Sequence, residues 1–275
     1  MFNPAAYSEN LDLMAKGVTF RKQTAALLGY PSWAHYVIES RMAGTPETVT
    51  AFLGKIRDLA KGGAARDLET LRLAKVEHLK SMGELPKGGE SAVALEAWDS
   101  GFYNQMVLKR DYGVDEEAVR EYFPLDHVVA TTLDIYQELL SLEFTELPSG
   151  SFSRWHEEVR CFLVRDKAPG CEGTRVGHFY LDLHPRGGKY THAAIFHLLK
   201  KNKEHTGVDC MMCNLPPPSK DGKPALLTHD DVITFFHEFG HIMHGLCSEG
   251  DGNSTHLAKC PRDFVEAPSQ MLENW

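Results

Sequence analysis

A chain of 275 residues that is 43% hydrophobic and 24% charged has enough apolar mass for one large or two medium soluble domains. Its net charge of −9, with no basic stripe interleaved with aromatics, argues against a nucleic-acid partner. No run approaches the ~18 apolar residues of a membrane span, and Met1 to Asn10 carries no basic-then-apolar signal, so a soluble, cytoplasmic protein is expected.

Helical patterning dominates the first 150 residues. Thr48 to Leu59 and Ala64 to Met82 carry apolar residues at three- and four-residue spacing, with Gly62-Gly63 between them. Ser91 to Asp111 and Glu116 to Leu142 read as two further long helices, the second interrupted at Pro124. Trp98, Phe102, Tyr103, Tyr136 and Phe144 are assigned to the core.

After Pro148-Ser149-Gly150 the pattern changes to strands. Val159 to Val164 and Gly177 to Leu183, separated by the turn-forming Lys167 to Gly170, predict a hairpin. His192 to Leu198 and Val208 to Leu215 add candidate strands. The expected fold class is therefore α+β: a helical region over 1–150 and a region with a small sheet over 151–275.

Six cysteines (Cys161, Cys171, Cys210, Cys213, Cys247 and Cys260) form no disulfide framework and are expected as free thiols. Cys210 and Cys213 fit C-x-x-C, but no second pair accompanies them. Their setting among Val208, Met211, Met212 and Leu215 favours a plain strand.

The chemistry lies in His237-Glu238-Phe239-Gly240-His241. Residues four apart share a helix face, so His237 and His241 can present two imidazoles to one metal ion, with Glu238 beside them as general base. Thr228 and Asp231 have the spacing of a capping box, and Asp230 and Asp231 suit the positive end of the helix dipole. The segment from Val232 to Leu246 is apolar enough to be buried on most sides. Polar groups in such a helix need partners, and a metal satisfies two neutral imidazoles.

A catalytic zinc ordinarily takes three protein ligands and leaves a position for water. Downstream candidates are Glu249, Asp251, His256, Cys260, Asp263, Glu266 and Glu273. Glu249 to Cys260 reads as a loop. A second helical segment is predicted from Arg262, with Asp263 as its cap and Pro268 in its first turn. By spacing alone Glu266 serves equally as a third ligand or as a capping-box partner of Asp263. His244 shares the face of His237 and His241, but three ligands on one straight helix cannot surround an ion. It is read as a pocket residue.

The runs His237-Glu-Phe-Gly-His-Ile-Met-His-Gly-Leu-Cys247 and Arg262-Asp-Phe-Val-Glu-Ala-Pro-Ser-Gln-Met-Leu-Glu-Asn-Trp275 resemble the thimet oligopeptidase/neurolysin family of zinc metallopeptidases, family M3. Leu27-Leu-Gly-Tyr-Pro31, Ala97-Trp-Asp99, Glu121-Tyr-Phe-Pro124 and Phe179-Tyr-Leu-Asp-Leu183 resemble its landmarks, in the same order. The resemblance covers essentially the whole chain. It implies Glu266 as third ligand beside His237 and His241, Glu238 as base, one zinc ion per chain, and short peptides as substrates of a monomeric endopeptidase. It also implies a zincin-like catalytic core over 151–275, with the helical region over 1–150 forming part of a channel wall, and one sheet edge pairing with extended substrate; Thr206 to Cys213 is the expected edge.

Members of the family are more than twice as long, and the donors that hold the substrate carbonyl lie beyond the region represented here. The chain is thus expected to be a central fragment that binds zinc weakly and turns over little. A longer parent could carry a mitochondrial targeting segment. The competing reading is a non-catalytic metal-binding or interaction fragment. An exopeptidase would need a group that holds a peptide terminus, and nothing in the sequence identifies one.

Overall fold

The structure is a computed structural model and describes residues 4–219, 221–248 and 260–274. The chain divides into two compact units, Met1–Tyr112 and Gly113–Trp275.

The first unit is helical: α1 (Pro4–Leu27), α2 (Trp33–Ile38), α3 (Pro46–Met82), a 3₁₀ turn (Gly89–Ala92) and α4 (Ser100–Tyr112). The two helices predicted around Gly62-Gly63 are one continuous helix, α3. Each glycine costs only about 1 kcal/mol relative to alanine, too little to stop a helix of this length. Its ends are set by stronger signals. Thr45 accepts from the backbone N–H of Thr48, and Gly83 closes the other end at φ 71°.

The helix predicted from Ser91 instead begins at Ser100. The Asp99 carboxylate accepts from the backbone N–H of Glu96 and from Lys75 Nζ. It thereby stabilises a turn where the periodicity alone suggests helix. Ala74, Tyr103 and Val107 form the small core of this unit.

The second unit contains α5 (Glu116–Arg120), α6 (Leu125–Leu140), β1 (Leu142–Glu146), β2 (Arg160–Asp166), β3 (Arg175–Asp182), β4 (Ala194–Leu199), β5 (Gly207–Met212), α7 (His229–Cys247) and α8 (Ala267–Leu272). The α+β class expected from the sequence is present. Pro124 does separate two helices, α5 and α6. The second of these stops two residues before Leu142, because Ser141 turns left-handed at φ 53° and the chain continues as a strand. Gln137 Oε1 accepts from the backbone N–H of Phe144 and fixes that turn.

The strands form one sheet in the order β1-β2-β3-β5-β4. The predicted hairpin is β2 with β3, antiparallel, with Phe162 opposite Phe179. Next, β3 pairs parallel with β5, and β4 pairs antiparallel with β5. This corrects one expectation. The stretch Thr206 to Cys213 is not an edge: β5 lies between two neighbours, and Val208 and Met212 alone of its six residues are not fully buried. The edge on that side is β4, which has no fully buried residue.

One core unites these elements. Phe239 of α7 lies at its centre, edge-on to Tyr136 (4.8 Å between centroids), Phe179 (5.2 Å) and Phe144 (5.9 Å). Phe235, Ile242, Met243 and Leu246 complete the buried stripe of α7, which packs on β3, β4 and β5. The opposite face of α7 carries the polar pentapeptide residues.

Candidate metal centre

Helix α7 starts where the sequence predicts. Thr228 Oγ1 accepts from the backbone N–H of Asp231 at 3.1 Å, and Asp231 Oδ2 accepts from that of Thr228 at 2.9 Å. With the apolar stripe docked on the sheet, His237, Glu238 and His241 line a cleft of about 660 Å³. The opposing wall is Tyr190, Ala193, Ala194, Ile195 and His197, from β4 and the segment before it. Cys260, Arg262, Val265 and Glu266 close a third side.

Glu266 is the N-cap residue of α8 but makes no side-chain capping bond. The helix begins at Ala267, later than predicted, so Asp263 is not its cap residue. Pro268 does sit in the first turn, where its missing N–H is harmless. The Glu266 carboxylate is turned back onto α7 instead. Its Oε2 lies 3.2 Å from His237 Nε2 and 3.0 Å from His241 Nε2, and the two Nε2 atoms are 3.2 Å apart. Buried Ser269 supports the carboxylate, its hydroxyl lying 3.1 Å from the same Oε2.

These three distances test whether the residues suit a metal. A tetrahedral ion with ligand bonds of about 2.0–2.1 Å has ligand–ligand edges of about 3.3 Å. The observed triangle has nearly that size. Its atoms are two imidazole nitrogens and one carboxylate oxygen, the donor chemistry of a catalytic zinc site, and one tetrahedral vertex is left over. Among the described residues this is the only cluster with such spacing.

The surroundings tune each group. Burial holds the His241 imidazole below its usual value, although Glu266 opposes the shift, so the ring keeps its lone pair at neutral pH. Burial also raises the Glu238 carboxyl above the ordinary carboxylate range, with Glu266 adding to the effect and His237 opposing it. His244 is off the triangle; burial, then His197, holds its imidazole down. Cys210 and Cys213 are both buried, and burial pushes both thiols up to about 12, as suits inert strand residues.

Sequence reasoning ranked Glu273 only as a possible ligand. The structure places it behind His237, with Oε1 2.6 Å from His237 Nδ1. Nδ1–H donates there, which leaves Nε2 as the lone-pair atom facing the triangle. Glu249, Asp251 and His256 lie outside the described residues.

The model for peptidase family M3 matches residues 3–275. The chain belongs to peptidase family M3. It is 37% identical to the thimet-like oligopeptidase of Dictyostelium discoideum, the match covering 97% of this chain and 39% of that protein. It is 35% identical to saccharolysin of Saccharomyces cerevisiae, over 97% of this chain and 38% of that protein. To a dipeptidyl carboxypeptidase of Escherichia coli it is 33% identical, over 94% and 36% of the two chains. The chain thus spans under two fifths of the length of these M3 relatives. No described helix is long and apolar enough to cross a membrane.

Proposed function

We propose that this chain carries the metal-binding part of the active site of a zinc endopeptidase acting on short oligopeptides. The observation that supports this best is the triangle of His237 Nε2, His241 Nε2 and Glu266 Oε2, whose edges of 3.0–3.2 Å suit one face of a zinc tetrahedron. The name of one M3 relative, a thimet-like oligopeptidase, supports short peptides as the substrate class.

In this reading His237, His241 and Glu266 hold one zinc ion. Zinc in such a site acts as a Lewis acid and lowers the pKa of a coordinated water to about 7. Glu238, beside the ligands but outside the triangle, accepts the proton of the attacking water and delivers it to the leaving amine. Its partly buried setting favours the protonated form that the second transfer needs. Extended peptide lies along β4, the edge strand of this sheet among the described residues, where strand pairing is offered. Residues 151–275 provide the zincin-like catalytic region and residues 1–150 a mainly helical region.

The test is zinc stoichiometry together with peptide hydrolysis. The wild-type chain and Glu238→Gln should each bind one zinc per chain, whereas His237→Ala and Glu266→Ala should lose it. Whatever cleavage of a quenched-fluorescent oligopeptide the wild-type chain shows should vanish in Glu238→Gln. Full zinc binding by His237→Ala, or undiminished cleavage by Glu238→Gln, overturns the reading.

A further inference from the structure

The mouth of the metal cleft carries an aromatic side chain that the core does not use. Tyr190 lines the cleft together with His237 and Glu238, yet it is 51% exposed. Its ring lies 5.8 Å from that of Phe196, edge-on at 89°, and 5.9 Å from that of His192. Phe196 and His192 are exposed as well. Apolar side chains scattered singly over a surface need no explanation, but rings gathered at the entrance of a cleft mark a place for a ligand.

The register of β4 shows where these rings stand. Ile195 packs against the core. Phe196 follows it in the strand and therefore points to the other face of the sheet, where its cross-strand partner is Cys210. Tyr190 meets Phe196 on that outer face and still borders the cleft.

The backbone that carries Tyr190 is pinned. The Lys189 amine, 1% exposed, donates to the carbonyls of Asp182 (2.9 Å) and His184 (2.6 Å) and pairs with Asp182 Oδ1 at 2.8 Å. Asn214 Nδ2 donates to the Tyr190 carbonyl at 3.0 Å. Tyr190 is thus held through its own carbonyl and through the residue before it. A ring left half in water on a backbone fixed in this way loses little freedom when a ligand covers it.

We propose that Tyr190, with Phe196 beside it, is a specificity subsite that receives an aromatic side chain of a bound peptide. This rests on the peptidase reading above, in which extended peptide pairs with β4. In a paired strand, the peptide residue opposite Phe196 puts its side chain on the same face, next to Phe196 and Tyr190. The residues before and after it point to the cleft side, where Ile195 stands. A ring arriving at the subsite can lie offset or edge-on against Tyr190, and both partners lose apolar surface to water.

The experiment uses peptide hydroxamates, whose metal-seeking end fixes the register. One series carries the hydroxamate at the C-terminus and the other near the N-terminus. Each is scanned with Phe or Ala at successive positions, and Kd is measured on the zinc-loaded 275-residue chain. At one position Phe should bind at least about tenfold more tightly than Ala, the gain expected from covering much of a phenyl side chain. That ratio should fall at least about threefold in Tyr190→Ala and in Phe196→Ala, the worth of one aromatic contact. It should hold in Tyr190→Phe, which keeps the ring. At the two adjacent positions Tyr190→Ala should leave the ratio unchanged, because those side chains face the other way. Zinc stoichiometry should stay at one in each variant.

A flat Phe/Ala ratio at every position in the wild type, or a ratio that survives Tyr190→Ala, overturns the subsite. Loss of the preference in Tyr190→Phe, or equal losses at adjacent positions in Tyr190→Ala, overturns it too. So does failure of every hydroxamate to bind while zinc is bound; that outcome leaves the metal site standing. Failure to bind zinc at all, seen before peptide is added, removes the metal reading and the subsite with it.

Discussion

Glu273 Oε1 sits 2.6 Å from His237 Nδ1, on the side of the ring away from Glu266. The two carboxylates of one short segment therefore bracket one imidazole, each against a different nitrogen. Only the first of these contacts fixes which nitrogen carries the proton. Replacing Glu273 by Gln should keep the ring roughly in place but weaken its preference for the Nε2 lone pair. Zinc affinity is expected to fall about 10–100-fold, the usual cost of losing a group that orients a ligand. Competition against a chromogenic chelator measures it, and an affinity within twofold of wild type would remove Glu273 from the site.

The separation between α7 and α8 is set at Gly240. A Cβ there would lie 2.8 Å from Ser269 Cα, a backbone atom that cannot swing aside, and 3.4 Å from the Tyr136 hydroxyl oxygen. Gly240→Ala should push α8 outward and carry Glu266 and Glu273 away from the histidines. Overpacking of this kind costs about 1–3 kcal/mol. Zinc affinity should drop even though no ligand has changed, and chemical denaturation should show the accompanying loss of stability.

Asp182 ends β3 in a buried network. Burial acts to raise its carboxyl, but Arg186 on both oxygens, Lys189 and Trp155 Nε1 reverse this and hold it well below the usual carboxylate range. A carboxyl depressed on folding contributes stability that is complete above its unfolded value of about 3.9 and is lost as the pH falls through the folded value. Asp182→Asn should destabilise the protein by about 3 kcal/mol at pH 7, since it leaves Lys189 buried without its counter-ion. The gap from wild type should narrow steadily below about pH 4. Urea unfolding at pH 7 and pH 3 checks this, and equal gaps at both would show that the charge is not what matters.

Thr228→Ala removes one half of the capping box of α7. The expected loss is about 1 kcal/mol. Because the first turn lies two turns from His237, zinc stoichiometry should be unaffected. Urea denaturation and metal titration on the same variant separate the two effects.

What the sequence reveals about the site is local, and what it conceals is long-range. The capping box, the two-histidine face of α7 and the β2–β3 hairpin rest on contacts between residues near in sequence, and each appears where spacing places it. The place of β5 depends on which strands pair across a crossover, and an apolar strand near a predicted site gives no clue whether it is central or at the edge. Glu273 shows the same limit: a carboxylate seven residues after Glu266 reads as another ligand until the fold shows which side of the ring it approaches. Asp209, an acid within the run Val208 to Leu215, carries no signal in the sequence of what it meets. Its partner His197, twelve residues earlier on a neighbouring strand, could not be named without the register.

The topology of the sheet has a kinetic corollary. The strand order β3-β5-β4 sends the chain past its own next position and back again, so β4 is held by β5 alone while β5 is held on both sides. The β4 edge is accordingly expected to open first, by local excursions that leave the Phe239 core intact. In native-state hydrogen exchange, the amides of Ala194–Leu199 should exchange through a lower-energy opening than those of β3 and β5.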